Sequence, residues 1–293
     1  MGIKMLEEAI ERAAVEAITR AVIYIPPDVK EALRKVYSEE ESEASRSQLE
    51  AILKNIELAE KMKRPICQDT GVILYYVKVG YEFPSFKTVE KSLVNAVRTA
   101  TRTIPLRPNT VHPFTGKNPG DNTGRYMPYL NIEFIDGNEL EITVVPKGGG
   151  SEYVSVLEMP PPREGIKAIK RAVVDAVLRA GSMPCPPTVV GVGIGGGSDI
   201  ALHLAKKAAC LRKLGSSNPD PELDKLEKEL YTALNELGIG TMGMGGKFTV
   251  LAVHMDYAYR HPAVLPIGIV FQCWAVRRAT ARVKPDGSYE VFQ

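Results

Sequence analysis

Three cysteines in this chain stand where chemistry is commonly built. Cys67 opens the run Cys67-Gln68-Asp69, between a charged helical stretch ending at Lys63 and the apolar run Val72–Val79. Pro65 breaks the helix, because the residue before a proline is pushed into extended conformation. A soft sulfur donor, an amide and a carboxylate thus fall on successive residues of a short loop, the kind of place that carries sites on a rigid scaffold. Taken alone, the run is read equally well as a buried thiol beside a turn aspartate. Cys185 lies in Met183-Pro184-Cys185-Pro186-Pro187. Three prolines fix its backbone, which is useful to a metal ligand and wasted on a core filler. Cys273 follows the apolar run Leu265–Phe271. The fourth, Cys210, sits among Ala208, Ala209 and Leu211 in a helical stretch and is expected in the core.

The three candidate ligands are 118 and 88 residues apart, and no C-x-x-C pair exists. That spacing argues against zinc ribbons, thioredoxin-like redox motifs and ferredoxin clusters. Thiolates from distant loops can instead converge on one soft metal centre. A cubane has four irons, so three thiolates leave one iron open as a Lewis acid.

Composition narrows the classes. The chain has 293 residues, 44% hydrophobic and 25% charged, which supplies ample core. The net charge of +2 without a basic tract speaks against nucleic acid as a partner. No apolar stretch approaches the ~20 residues of a membrane span. Glu7, Glu8, Glu11 and Glu16 occupy the first twenty residues, where a signal peptide would need an apolar centre. The cytoplasm is the expected compartment, and four cysteines there are ligands, nucleophiles or core residues rather than a disulfide scaffold.

The elements that position these residues follow from periodicity. Helices are predicted over about 5–23, from Asp28 through Val36, and over Ser42–Lys63, where Leu49, Ile52, Leu53 and Ile56 form a stripe. A strand over Val72–Val79 and a helix from about Ser85 to Arg102 follow. Residues 106–128 are rich in Pro, Gly, Asn and Thr and read as a long functional loop. Tyr129–Phe134 and Leu140–Val145 alternate like hairpin strands around Asp136-Gly137-Asn138. Gly148-Gly149-Gly150 is either an anion-binding nest or a flexible turn. A helix over Arg163–Ala180, a strand over Val189–Ile194, a helix opening at Ser198-Asp199 and a charged helix over Glu222–Leu237 come next. Gly191-x-Gly193-x-x-Gly196 matches the dinucleotide fingerprint, but its first glycine is inside the strand and no upstream βαβ unit supports it. An anion or a close backbone approach is the better reading. A second glycine-rich loop, Gly240–Gly246, precedes the strand Phe248–His254. His261 lies on a turn beside Arg260, twelve residues before Cys273. Arg277, Arg278 and Arg282 are candidate partners for a charged substrate group, but their spacing after Cys273 reads more simply as a strand with alternating or surface charge. The absence of a repeat or clear linker gives one domain over 1–293. The expected fold is α/β (mixed α+β): a helical part to about residue 63, then a mixed sheet with flanking helices and cluster-bearing loops at strand ends.

Together these motifs resemble the class I, iron–sulfur-dependent fumarate hydratases and the related L-tartrate dehydratases, in the form of the free-standing alpha subunit. The matching residues are Pro65-Ile66-Cys67-Gln68-Asp69-Thr70-Gly71, Gly120-Asp121-Asn122-Thr123, Lys147-Gly148-Gly149-Gly150-Ser151-Glu152, Cys185-Pro186-Pro187, Gly195-Gly196-Gly197 and Arg260-His261 before Cys273. By this resemblance Cys67, Cys185 and Cys273 hold a [4Fe-4S] cluster with one open iron. Asp69 is the acid–base group, and Gln68, Arg107, Gly150 and His261 contact a C4 dicarboxylate. Arg107 offers a bidentate fork to a carboxylate, although Arg-Pro-Asn-Thr here departs from the family pattern. Nothing in the chain matches the C-terminal domain of the longer single-chain enzymes. The resemblance therefore implies a beta subunit, in a heterotetramer of two alpha and two beta chains. The implied reaction is hydration of fumarate to (S)-malate, with L-tartrate dehydration to oxaloacetate as the rival. A nucleotide-binding protein using Gly191–Gly197, or a non-catalytic scaffold, are the readings from other classes.

Overall fold

The computed structural model describes residues 3–293; Met1 and Gly2, part of the N-terminal stretch that reads as no signal peptide, lie outside it. In chain order the elements are α1 (Ile3–Ile23), α2 (Pro27–Glu39), α3 (Glu43–Met62), β1 (Val72–Gly80), α4 (Val89–Thr103), β2 (Tyr129–Ile135), β3 (Leu140–Lys147), α5 (Gly149–Tyr153), β4 (Val156–Glu158), α6 (Gly165–Ala180), β5 (Thr188–Gly195), α7 (Ser198–Leu211), α8 (Pro221–Asn235), β6 (Val250–Ala258), β7 (Ile267–Gln272), β8 (Ala279–Val283) and β9 (Tyr289–Phe292). The fold is mixed α+β, with helices first and mixed sheets flanked by helices after them. No helix of the described residues is long and apolar enough to cross a membrane.

The chain forms two compact units, each drawn from separate stretches, so no linker marks them in the sequence. The first takes Met1–Pro26, Ile56–Gly148 and Arg277–Gln293; the second takes Pro27–Asn55 and Gly149–Val276.

In the first unit a five-stranded sheet runs β2-β1-β3-β8-β9. Its core joins Ile10, Ile18 and Val22 of α1 and Leu93 and Val97 of α4 to Tyr75, Val77, Ile142, Val144 and Ala281 of the sheet. The Tyr75 hydroxyl donates to the Leu93 carbonyl at 3.2 Å, and complete burial pushes its pKa far up. The turn at 136–138 is present, but β2 and β3 do not form the expected hairpin. β1 lies between them, parallel to β2 and antiparallel to β3. The reason is burial: β1 is mostly enclosed and needs partners on both sides, whereas β2, with Asn131 and Glu133, suits a sheet edge. The helix expected from Ser85 begins as a 3₁₀ turn, Phe86–Thr88, before α4.

In the second unit four strands run β4-β7-β5-β6. β5 is parallel to β6 and antiparallel to β7. Alternation along β5 divides its faces. Val190 and Val192 join the core built with α6 and α8. Gly191 and Gly193 face α7, where a Cβ on either would stand 2.0 Å from the carbonyl oxygen of Ala205 or Ala201. Gly268 of β7 meets Ala201 in the same way, at 2.6 Å. The glycine spacing that imitates a dinucleotide fingerprint is thus the imprint of a helix laid directly on a sheet. Cys210 of α7 is fully buried, as its alanine surroundings predict.

Candidate active site

The Cys67 loop is anchored by its apolar neighbour: buried Ile66 donates its N–H to the Val22 carbonyl at 2.9 Å. Cys67 is half-buried, with its Sγ 3.5 Å from Gln68 Oε1, and Gln68 is exposed. Asp69 turns back into the unit. Its Oδ1 accepts from the Gly71 N–H at 3.0 Å and from Asn109 Nδ2 at 3.2 Å. Its main-chain carbonyl accepts from Arg277 Nη1 at 2.8 Å. Gly71 is required where it stands, because φ is +83° and a Cβ would lie 2.7 Å from the Pro146 carbonyl carbon.

Arg107 is tied to the same loop through its backbone. Its N–H donates to the buried Thr70 hydroxyl at 3.0 Å, and that Oγ1 lies 3.3 Å from the Arg107 carbonyl. The Arg107 side chain is exposed. Asn122, 2% exposed and at φ 59°, pins the loop from behind: its Oδ1 accepts from the Asn109 N–H at 2.6 Å and its Nδ2 donates to the Arg107 carbonyl at 3.2 Å. Asp121 closes its own turn by accepting from the Thr123 N–H at 3.0 Å and hydroxyl at 2.8 Å. The Gly-Asp-Asn-Thr run is therefore a latch for the loop that carries Arg107.

The second unit gathers Gly150, Cys185 and Cys273. The Trp274 N–H donates to the Cys185 carbonyl at 3.2 Å, and the Met242 N–H to the Pro186 carbonyl at 2.8 Å. Cys185 is held at φ 55°, a left-handed conformation uncommon outside glycine. Gly150 lies in the short helix α5, and a Cβ there would be 3.1 Å from the carbonyl oxygen of Met183, two residues before Cys185. The glycine stretch thus opens a helical turn rather than a flexible one. His261 stands on a separate exposed turn after β6. Arg260 Nη1 donates to the carbonyls of His261, Pro262 and Val264 at 3.2, 3.1 and 3.0 Å. His261 Nδ1 accepts from the Ala263 N–H at 3.1 Å, which leaves the neutral ring's proton on Nε2. Gly195 and Gly196 abut this turn, the latter donating to the Tyr259 carbonyl at 3.2 Å.

The structure gives Asn109 and Arg277 parts that the sequence did not indicate. Asn109 carried no signal beyond an irregular loop. Arg277 and Arg278, expected as strand or surface charge, are instead 2% and 7% exposed, so that expectation is corrected. Arg277 is turned inward by its bond to Asp69. Arg282 alone behaves as expected, on β8 within reach of Glu139, Glu141 and Glu290.

The donor set suits an iron–sulfur centre. None of the cysteines is in a disulfide, and Cys67, Cys185 and Cys273 are half-buried on loops whereas Cys210 is enclosed. Among the described residues no three His, Cys, Asp or Glu side chains gather round one point as ligands of a single ion would. Sulfur donors select soft centres over hard cations.

The comparisons with known proteins define the class as a hydro-lyase. The chain belongs to the fumarate hydratase (Fumerase) family, whose model matches residues 11–282. It is 47% identical over 281 residues to a Methanocaldococcus jannaschii protein provisionally named L(+)-tartrate dehydratase subunit alpha, covering 94% of this chain and 98% of that one. It is 35% identical to the L(+)-tartrate dehydratase subunit alpha of Escherichia coli K12 and to that of Shigella sonnei, covering 98% of this chain and 97% of each. The protein is a hydro-lyase subunit of the alpha type.

Proposed function

We propose that this chain, completed by a beta subunit, adds water to or removes it from a C4 dicarboxylate. The single observation that carries the reading is the Asp69 carboxylate, held by the Gly71 N–H and Asn109 two residues from Cys67. Cys67, Cys185 and Cys273 would hold a [4Fe-4S] cluster. When bound, that group supplies an iron without a protein ligand, a Lewis acid at a substrate hydroxyl. Asp69 moves the proton as general acid or base. Gln68 and His261 Nε2 donate to substrate oxygens, Arg107 pairs with one carboxylate, and backbone at Gly150 lies against the other end. All of this takes place in the cytoplasm, where thiols stay reduced.

Two substrates fit this chemistry. The family description and the metabolic frequency of the reaction favour fumarate and (S)-malate. The relatives' names favour L(+)-tartrate, with oxaloacetate as product. The pair of chains, in an assembly of two alpha and two beta, is purified anaerobically and assayed on both. Turnover of either supports the hydro-lyase reading and decides the substrate. Iron-loaded complex that turns over neither would overturn it.

A further inference from the structure

Asp69 acts in proton transfer only if its carboxylate is aimed, and the first unit contains an apparatus for aiming it. Asn109 Nδ2 donates to Asp69 Oδ1 at 3.2 Å and to the Gly71 carbonyl at 3.1 Å. A carboxylate and a carbonyl both accept, so the amide nitrogen must face them and the orientation of Asn109 is fixed by chemistry. Asn109 is itself held, through its N–H, by buried Asn122 at 2.6 Å. Arg277, 2% exposed, grips the main chain of Asp69 from the other direction. Gly148 completes the arrangement: a Cβ there would lie 3.2 Å from Asp69 Oδ2 and 3.4 Å from Arg277 Nη2. One carboxylate oxygen is thus restrained by Asn109 and the Gly71 N–H, while the other lies on the side of Gly148.

The structure assigns Asn109 as a positioning residue that sets the carboxylate of Asp69 for proton transfer. The inference rests on the reading of Asp69 as the acid–base group. Asn109 makes no claim on substrate affinity; it acts through Asp69, so its loss falls on kcat. Misplacing a reacting group by about 1 Å costs on the order of 10²-fold in rate.

The test is a double-mutant cycle on the anaerobically purified alpha–beta complex: wild type, Asn109→Ala, Asp69→Asn and the double variant. Each is measured for kcat, KM, iron per chain and thermal midpoint. Asn109→Ala is expected to keep its iron, hold KM within about twofold, and lose roughly 10- to 100-fold in kcat. The double variant should be no slower than Asp69→Asn alone, because the group that Asn109 aims is already gone. Asn109→Asp keeps the shape but replaces the donor with a second carboxylate, so it should lose at least as much kcat; it serves as the test should Asn109→Ala fail to fold. Wild-type kcat in Asn109→Ala, or losses that multiply in the double variant, overturn the inference while leaving the role of Asp69 intact. Full kcat in iron-loaded Asp69→Asn removes Asp69 from the mechanism and this inference with it.

Discussion

Cys185 and Trp274 share a backbone hydrogen bond: the Trp274 N–H meets the Cys185 carbonyl at 3.2 Å. Two cysteine-bearing loops 88 residues apart in sequence are thereby fastened to each other before any metal is considered. Cys185 itself stands at φ 55°, where a residue with a Cβ stores on the order of 1 kcal/mol or more.

That strain yields a prediction about the ligands. Cys185→Gly relieves the left-handed conformation and removes the thiolate together. The iron-free chain should therefore unfold within about 1 kcal/mol of wild type, since the relief offsets the added freedom of glycine when unfolded. The same variant, and Cys67→Ser or Cys273→Ser, should fail to hold iron, because a hydroxyl replaces a thiolate poorly. Cys210→Ser should keep iron and lose only stability. Iron analysis beside denaturant unfolding separates the outcomes; full iron in Cys185→Gly would remove Cys185 from the ligand set.

Gly191 tests the reading of the glycine-rich strand. A methyl group there meets the Ala205 carbonyl at 2.0 Å and the Ala209 backbone nitrogen at 2.7 Å. Backbone cannot move aside cheaply, so Gly191→Ala should cost at least the 1–3 kcal/mol typical of overpacking. Thermal unfolding measures it. Isothermal titration should meanwhile find no nicotinamide dinucleotide binding in the wild-type complex, as expected where the glycines are occupied by a helix. Tight binding of that cofactor would reverse the reading.

The latch predicts an acid response. Partial burial pushes the Asp121 carboxyl up, but hydrogen bonds from Thr123 and the Arg98 guanidinium outweigh it and hold the pKa below the ordinary value. A depressed folded pKa means that the unfolded state binds protons first. The stabilisation is present above the unfolded pKa of about 3.9 and is lost as pH falls through the lower folded value. Asp121→Asn should thus lower stability near neutrality and flatten its decline at acid pH. Urea midpoints between pH 6 and pH 3 check this; parallel curves for the two proteins would sink it.

Much of this was legible from local pattern. The stripe Leu49, Ile52, Ile56 specified a helix, and the run Val72–Val79 a buried strand, because period alone decides those elements. Cys67, Cys185 and Cys273 stood out because soft donors beside prolines and loop ends are unusual. Asn109 and Arg277 were not legible, because their roles depend on partners 40 and 208 residues away. The same limit hid the order of β2, β1 and β3: alternation marks each strand but not its neighbour. Gly191 and Gly193 left two readings open, an anion or a close backbone approach, and it is the second that the structure shows. Glycine has one physical meaning, close approach of backbone, and sequence does not say whether a phosphate or a helix does the approaching.

The final prediction concerns the chain by itself. Gln68, Arg107, Gly150 and His261, the residues proposed to meet substrate, are all exposed. Two arginines that follow Cys273 are committed elsewhere: Arg277 to the Asp69 carbonyl, and Arg282 to Glu139, Glu141 and Glu290. A C4 dicarboxylate carries two charges, and each must be paired once removed from water. Donors in contact with solvent stabilise developing charge weakly, because preorganised electrostatics are strongest where water is excluded. The purified alpha chain should therefore fold and take up iron, yet show little or no turnover of fumarate or tartrate. Adding the beta subunit should restore turnover by supplying further cations and covering these exposed groups. The same addition should slow chemical labelling of Arg107 by an arginine reagent, a readout independent of activity. Full turnover by the alpha chain alone would refute the need for a partner.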